Sequence, residues 1–121
     1  MSKDVRLLRA LAKDVPQFRE TFKAHVEDFG DIFCHALMED FANFVIEAIE
    51  KSKSGPDAAK WSSSLKTGLA LLEQAYVPTN ADVTKLVDEA FLTNLWKAGT
   101  DLEEIKKRMG PNLKRGLEAS R

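Results

Sequence analysis

GDIFCHALMEDFANFVIEAIE, residues 30–50, reads as one amphipathic helix of about five turns at 3.6 residues each. Phe33, Leu37, Phe41, Phe44 and Ala48 form one row, and Cys34, Met38, Val45 and Ile49 form the next. At the helical period these rows make about half of the circumference apolar, which predicts a helix buried against several neighbours. The other half presents His35, Glu39, Asp40, Asn43, Glu47 and Glu50. No Lys or Arg occurs from Ala24 to Glu50, whereas Asp or Glu occurs seven times, beginning with Glu27 and Asp28. One half therefore reads as core and the other as an acidic surface.

Upstream of this stretch, Val5, Leu8 and Ala12 with Leu7 and Leu11 predict a helix over residues 3–13 with a single buried stripe. Pro16 suits the first position of a second helix, where its missing N–H is no loss, and that helix runs to about Phe29. Phe18, Phe22, His25, Val26 and Phe29 share its apolar face, so an aromatic cluster is expected to join the second and third helices. His25 is expected to be a hydrogen-bonded core or boundary residue. Gly30 sits where a helix end favours a left-handed residue, and Asp31 is placed to cap the third helix.

Downstream, the KSKSG loop at 51–55 leads to a fourth helix over residues 56–76, with Trp61, Leu65, Leu69 and Leu72 on one face. Gly68 on that face invites close approach by another helix. Asn80 or Thr79 is placed to cap a fifth helix over residues 81–98, with Val83, Leu86, Val87, Ala90, Phe91 and Leu95 on its main face and Leu92 and Trp96 on another. Gly99 ends it, Thr100 with Glu103 reads as a capping box, and Gly110-Pro111 separates the sixth helix from a short last turn. No stretch shows strand-like alternation. The expectation is a single all-α domain of about six helices spanning residues 1–121, either a bundle or stacked helix pairs resembling an α-solenoid fragment.

A chain of 121 residues is long enough to bury roughly two thirds of the surface its unfolded form exposes, so it needs no staple. The lone Cys34 falls on the apolar row and reads as a small buried hydrophobe in a reducing compartment, with the cytoplasm the default. The opening MSKDVRLLRALAKDV alternates charged and apolar residues, unlike a signal peptide, and no apolar run is long enough to span a membrane. The net charge of −1 conceals an asymmetry: residues 1–50 hold 6 Lys/Arg against 10 Asp/Glu, and residues 51–121 hold 12 against 9. Near-neutrality argues against nonspecific nucleic-acid binding, whereas an acidic patch suits a basic partner.

Gly30-Asp31-Ile32-Phe33-Cys34-His35-Ala36-Leu37-Met38-Glu39-Asp40, then Ala90-Phe91-Leu92-Thr93-Asn94-Leu95, then Met109-Gly110-Pro111-Asn112-Leu113 occur in an order and spacing that resembles a family of small uncharacterised bacterial helical proteins associated with toxin and immunity gene clusters. Val15-Pro16 is similar to that family's aliphatic-Pro pair, while Cys34 takes the place of an expected Pro and Glu39 of an expected Gly. The resemblance implies no catalytic site. It implies a bacterial cytoplasmic protein that binds and neutralises a partner toxin.

Catalytic chemistry has little to draw on. His35, Glu39 and Asn43 recur at one-turn spacing, but no second His-bearing helix or His-Glu-x-x-His run supplies further ligands, so no metal and no cofactor is expected. The adjacent carboxylates Glu27/Asp28, Glu39/Asp40 and Glu103/Glu104 point about 100° apart and cannot grip one substrate. No nucleophile elbow, phosphate loop or dinucleotide fingerprint is present. The expected function is a non-enzymatic protein-binding module of immunity type, contacting a basic toxin through Glu27, Asp28, Glu39, Asp40, Glu47 and Glu50, with Trp96 a separate contact. Three rival readings are a structural or regulatory homodimer sealed by Leu92 and Trp96, a nucleic-acid-associated factor using Lys106, Lys107, Arg108, Lys114 and Arg115, and, last, a metal-dependent enzyme.

Overall fold

A computed structural model describes residues 2–120. The elements in chain order are α1 (Lys3–Asp14), α2 (Pro16–Phe29), α3 (Cys34–Lys51), α4 (Ala58–Ala75), α5 (Ala81–Leu86), a π-helical turn (Val87–Leu92), α6 (Thr93–Leu95), a 3-10 segment (Trp96–Asp101), α7 (Leu102–Lys107) and α8 (Pro111–Ala119). No strand occurs among the described residues. The all-α expectation holds.

The central element is α3, which packs against α1, α2, α4, α5, the π turn, α6 and α7. Its buried residues are Leu37, Met38, Phe41, Ala42, Phe44, Val45, Ala48 and Ile49. In a solenoid each helix pair would touch only its sequence neighbours. Here α1 also packs on α4 and α5, and one apolar cluster runs from Leu7 to Leu117, so the arrangement is a bundle around α3. Phe18 meets Phe41 edge-on at 5.0 Å between ring centroids, and Phe41 stacks on Phe44 at 5.7 Å and Phe91 at 5.8 Å. Such geometries suit the ring quadrupoles and add to the burial itself. Gly68 makes the close approach expected of it: a Cβ there would lie 2.8 Å from Cζ of Phe41.

Helix ends show how side chains satisfy the backbone groups that a helix leaves unpaired. Ser2 Oγ accepts from the N–H of Val5, and at the other end of α1 the Arg19 guanidinium donates to the carbonyls of Ala12 and Lys13 at 3.1 and 2.7 Å. Glu73 of α4 accepts from the N–H groups of Asn112 and Leu113 at 3.0 and 2.9 Å, capping α8 from across the bundle. Its carboxylate fills the space where a Cβ on Gly110 would be, 2.4 Å from Cδ. The Met109-Gly110-Pro111-Asn112-Leu113 motif is thus a seat for Glu73.

Several boundaries differ from expectation, each for a local reason. Asp31 does not cap α3; its carboxylate accepts from the adjacent N–H of Ile32 at 2.7 Å, and α3 starts only at Cys34. The Thr100–Glu103 capping box is absent, because Gly99 (φ +60°) and a 3-10 segment carry the chain to Asp101 before α7 begins. Asn80 stands at the N-cap position of α5, but its side chain donates to the carbonyl of Ala75 and accepts from Lys3. The helix expected over 81–98 widens into a π turn that buries Val87, Ala90, Phe91 and Leu92 together. Thr93 Oγ1 and Asn94 Nδ2 bond the carbonyls of Asp88 and Ala90 at 2.6 and 2.7 Å, holding the turn.

Candidate protein-interaction surface

The sequence-selected acids separate into two groups along α3. At its C-terminal end, Glu47 pairs with Lys51 at 2.7 Å, Glu50 pairs with Lys53 at 3.2 Å, and Lys53 reaches on to Asp101. Lys97 donates to Asn43 at 3.0 Å on the same side. The missing cations of this end are therefore supplied by Lys51 and Lys53, which lie just outside residues 24–50. Glu47 and Glu50 are exposed but largely neutralised.

The α2 end is different. Glu27 and Asp28 are exposed in the last turn of α2, which holds no basic residue. Among the described residues neither they nor Asp31 makes an ion pair. Carboxylates at a helix C-terminus face the negative end of the helix dipole, so their placement costs the fold stability. Glu39 is half-buried and sits 3.4 Å from Nδ1 of His35, whose Nε2 lies 3.8 Å from Glu89. Asp40 is also half-buried: burial pushes its carboxyl up, proximity to His25 opposes that, and the charge of Glu39 adds to it.

Between these acids lies a feature the periodicity did not reveal. Phe29 and Phe33, both assigned to apolar rows, are 58% and 52% exposed. Phe33 falls off the α3 row because it precedes the helix in extended backbone, and Phe29 is the terminal residue of α2. Their rings meet edge-on at 5.7 Å over His25, whose ring lies 4.9 Å from Phe29 and 6.1 Å from Phe33. His25 is buried, as expected, and its Nε2 accepts from the N–H of Phe33 at 3.0 Å. Gly30, at φ +71°, closes α2 by donating to the carbonyl of Val26 at 2.8 Å. The one sequence signal for this tip was the Phe-Gly-Asp-Ile-Phe spacing itself, which brackets a left-handed glycine with two aromatics.

Other candidates fall elsewhere. Trp96 is half-buried and donates from its indole N–H to Ser120 Oγ at 2.9 Å, far in sequence from the acids. Leu92 is fully buried, with Cδ1 2.8 Å from a Cβ position at Gly116 of α8, so Leu92 itself cannot line a dimer seam. In the basic run, Lys106 pairs with Glu118 at 2.7 Å, Lys107 with Glu104 at 3.1 Å, and Arg108 donates to Ser62 at 3.0 Å. Cys34 is half-buried, not fully buried, in a cleft of about 290 Å³ with Asp4, His35, Asp82, Lys85 and Glu89. Burial, then the negative charge of Asp4, pushes its thiol up, which makes it a poor nucleophile. No three His, Cys, Asp or Glu side chains among the described residues converge as a metal site. Nor is any described helix long and apolar enough to cross a membrane.

Comparison with curated proteins and with solved structures finds no match. A family model matches residues 8–120, from the middle of α1 to the end of α8. The chain belongs to the family described as Domain of unknown function (DUF7674).

Proposed function

We propose that this chain is a non-catalytic, cytoplasmic protein-binding module of immunity type, which binds a basic, toxin-like protein and neutralises it by covering its positive surface. The observation that carries the reading is the pair Glu27 and Asp28, set against the α2 dipole in a turn without a basic residue and making no ion pair among the described residues. A local rule broken at the expense of stability and left uncompensated within the chain marks a place shaped by something outside it. The footprint is centred on Glu27, Asp28, Glu39 and Asp40. Glu47 and Glu50, already engaged by Lys51 and Lys53, contribute only to the long-range field. An uncompensated negative surface of this kind accelerates encounter with a positive partner and repels acidic competitors.

The test is retention of a partner from lysate of the native host by tagged wild-type chain and by the Glu27→Lys/Asp28→Lys variant, followed by expression of the retained protein. The wild type is expected to hold a basic protein that arrests growth when expressed alone, with growth restored by co-expression of the wild type and not of the variant. Equal rescue by both forms would remove the acidic surface from the mechanism.

A further inference from the structure

Resting on that reading, we infer that Phe29 and Phe33 are the hot spot of the acidic surface and that their occupant is an arginine-bearing basic segment of the partner protein. The guanidinium plane and aliphatic stem of an arginine lie on the two rings, within the negative field of Glu27, Asp28 and Asp31.

Three observations converge on this assignment. Of the seven phenylalanines, Phe18, Phe41, Phe44 and Phe91 are buried and Phe22 is half-buried, whereas Phe29 and Phe33 leave more than half of their surface in water. These two rings are not loose. The His25–Phe33 hydrogen bond, the ring contacts through His25 and the left-handed turn at Gly30 hold them in place before any partner arrives. A preorganised aromatic pair loses little entropy on binding, which is the property that concentrates affinity at a few residues. The third observation is the local charge: Glu27, Asp28 and Asp31 lie within two residues of one ring or the other in sequence, and none of them makes an ion pair among the described residues.

The chemistry of these acids and the rings selects the occupant. The negative faces of the rings and the carboxylates both favour a cation, and arginine stacks on aromatic faces with weaker hydration than lysine. A purely apolar partner would strip water from the carboxylates without replacing it. A second copy of the same surface, or an anionic membrane, would bring like charges together.

The experiment is selection of a randomised displayed-peptide library on the wild-type chain with counter-selection on Phe29→Ala/Phe33→Ala, then titration of an enriched peptide against wild type and variants. Enrichment of arginine-containing basic peptides is expected, with affinity falling roughly 30-fold for the double phenylalanine variant, the size of a hot-spot loss. Replacing the peptide's arginine with lysine is expected to cost about 5-fold. Arginine peptides that bind the phenylalanine variant unchanged but fail on Glu27→Lys/Asp28→Lys would overturn the hot spot and leave the acidic docking surface standing. Enriched peptides without net positive charge, or none enriched over the counter-selection, would overturn the inference. Both positions are exposed, and far-UV circular dichroism checks the fold. Should the double variant lose helicity, Phe29→Ala alone carries the comparison, since it leaves the hydrogen bond from Phe33 to His25 in place.

Discussion

The two ends of α3 carry the same sign of charge in sequence and opposite characters in space. At the C-terminal end Glu47 and Glu50 meet Lys51 and Lys53, and Lys53 ties the helix to Asp101 beside α7. At the N-terminal end Glu27, Asp28 and Asp31 flank two exposed aromatic rings in sequence and make no ion pair among the described residues. A charge run becomes a patch only where the fold brings nothing opposite to it. The difference separates acids that serve the fold from acids that remain available to a partner.

The largest test of this division uses the aromatic row itself. Phe41 is 1% exposed and touches Phe18, Phe44 and Phe91, while Phe33 is half in water. Phe41→Ala is expected to cost about 3–5 kcal/mol, because the cavity it leaves adds to the lost burial. Phe33→Ala is expected to cost less than about 1 kcal/mol. Urea unfolding of both variants measures the ratio, and similar losses would mean that Phe33 belongs to the core.

That ratio also marks where reading the sequence stops. The rows of Leu37, Phe41, Phe44 and Ala48 were legible because periodicity reports which residues share a face, and Gly68 was legible because a glycine on an apolar face has few other uses. Phe33 was misassigned since the row continues smoothly through it. The extended backbone of Phe33 and the hydrogen bond from its N–H to His25, eight residues earlier, show that the helix starts only at Cys34. The neutralising lysines Lys51 and Lys53 follow their acids at helical spacing, just past the stretch that ends at Glu50, whereas the reach of Lys53 on to Asp101 spans 48 residues and no local pattern encodes it. The π turn was hidden because its apolar residues also satisfy an ordinary helical face.

A smaller contrast sets one helix-terminal acid against another. Glu73 accepts two backbone N–H groups at the start of α8, the end where a helix favours negative charge, and Glu27 sits in the last turn of α2, where it does not. Glu73→Ala is expected to cost about 1–2 kcal/mol and to speed amide hydrogen exchange at Asn112 and Leu113. Glu27→Lys is expected to raise Tm by about a degree or two while weakening partner binding. A drop in Tm for Glu27→Lys would show that this acid serves the fold after all.

The smallest effects are the most specific, because the two ends of α3 should respond to pH with opposite signs. Asp101 is held below the ordinary aspartate range first by its hydrogen bond from Lys53, with the lysine charge adding to it and burial opposing it. A depressed folded pKa contributes stability above the ordinary aspartate range and loses it as pH falls through the depressed value. Lys53, raised chiefly by the same bond, keeps its full share below the ordinary lysine range and loses it as the pH climbs through its own elevated value. Asp40 runs the other way. Burial raises its carboxyl, so the charged form is the less favoured one in the folded chain, and stability declines as pH rises out of the ordinary aspartate range. Asp101→Asn should therefore lower Tm at neutral pH and change little in strong acid, whereas Asp40→Asn should raise Tm at neutral pH with the gain vanishing as the wild-type carboxyl protonates. Thermal melts of the three proteins across the acid range read both slopes. Slopes of the same sign would mean that Asp40 is charge-compensated within the fold, and the open character of the N-terminal end of α3 would then rest on Glu27, Asp28 and Asp31 alone.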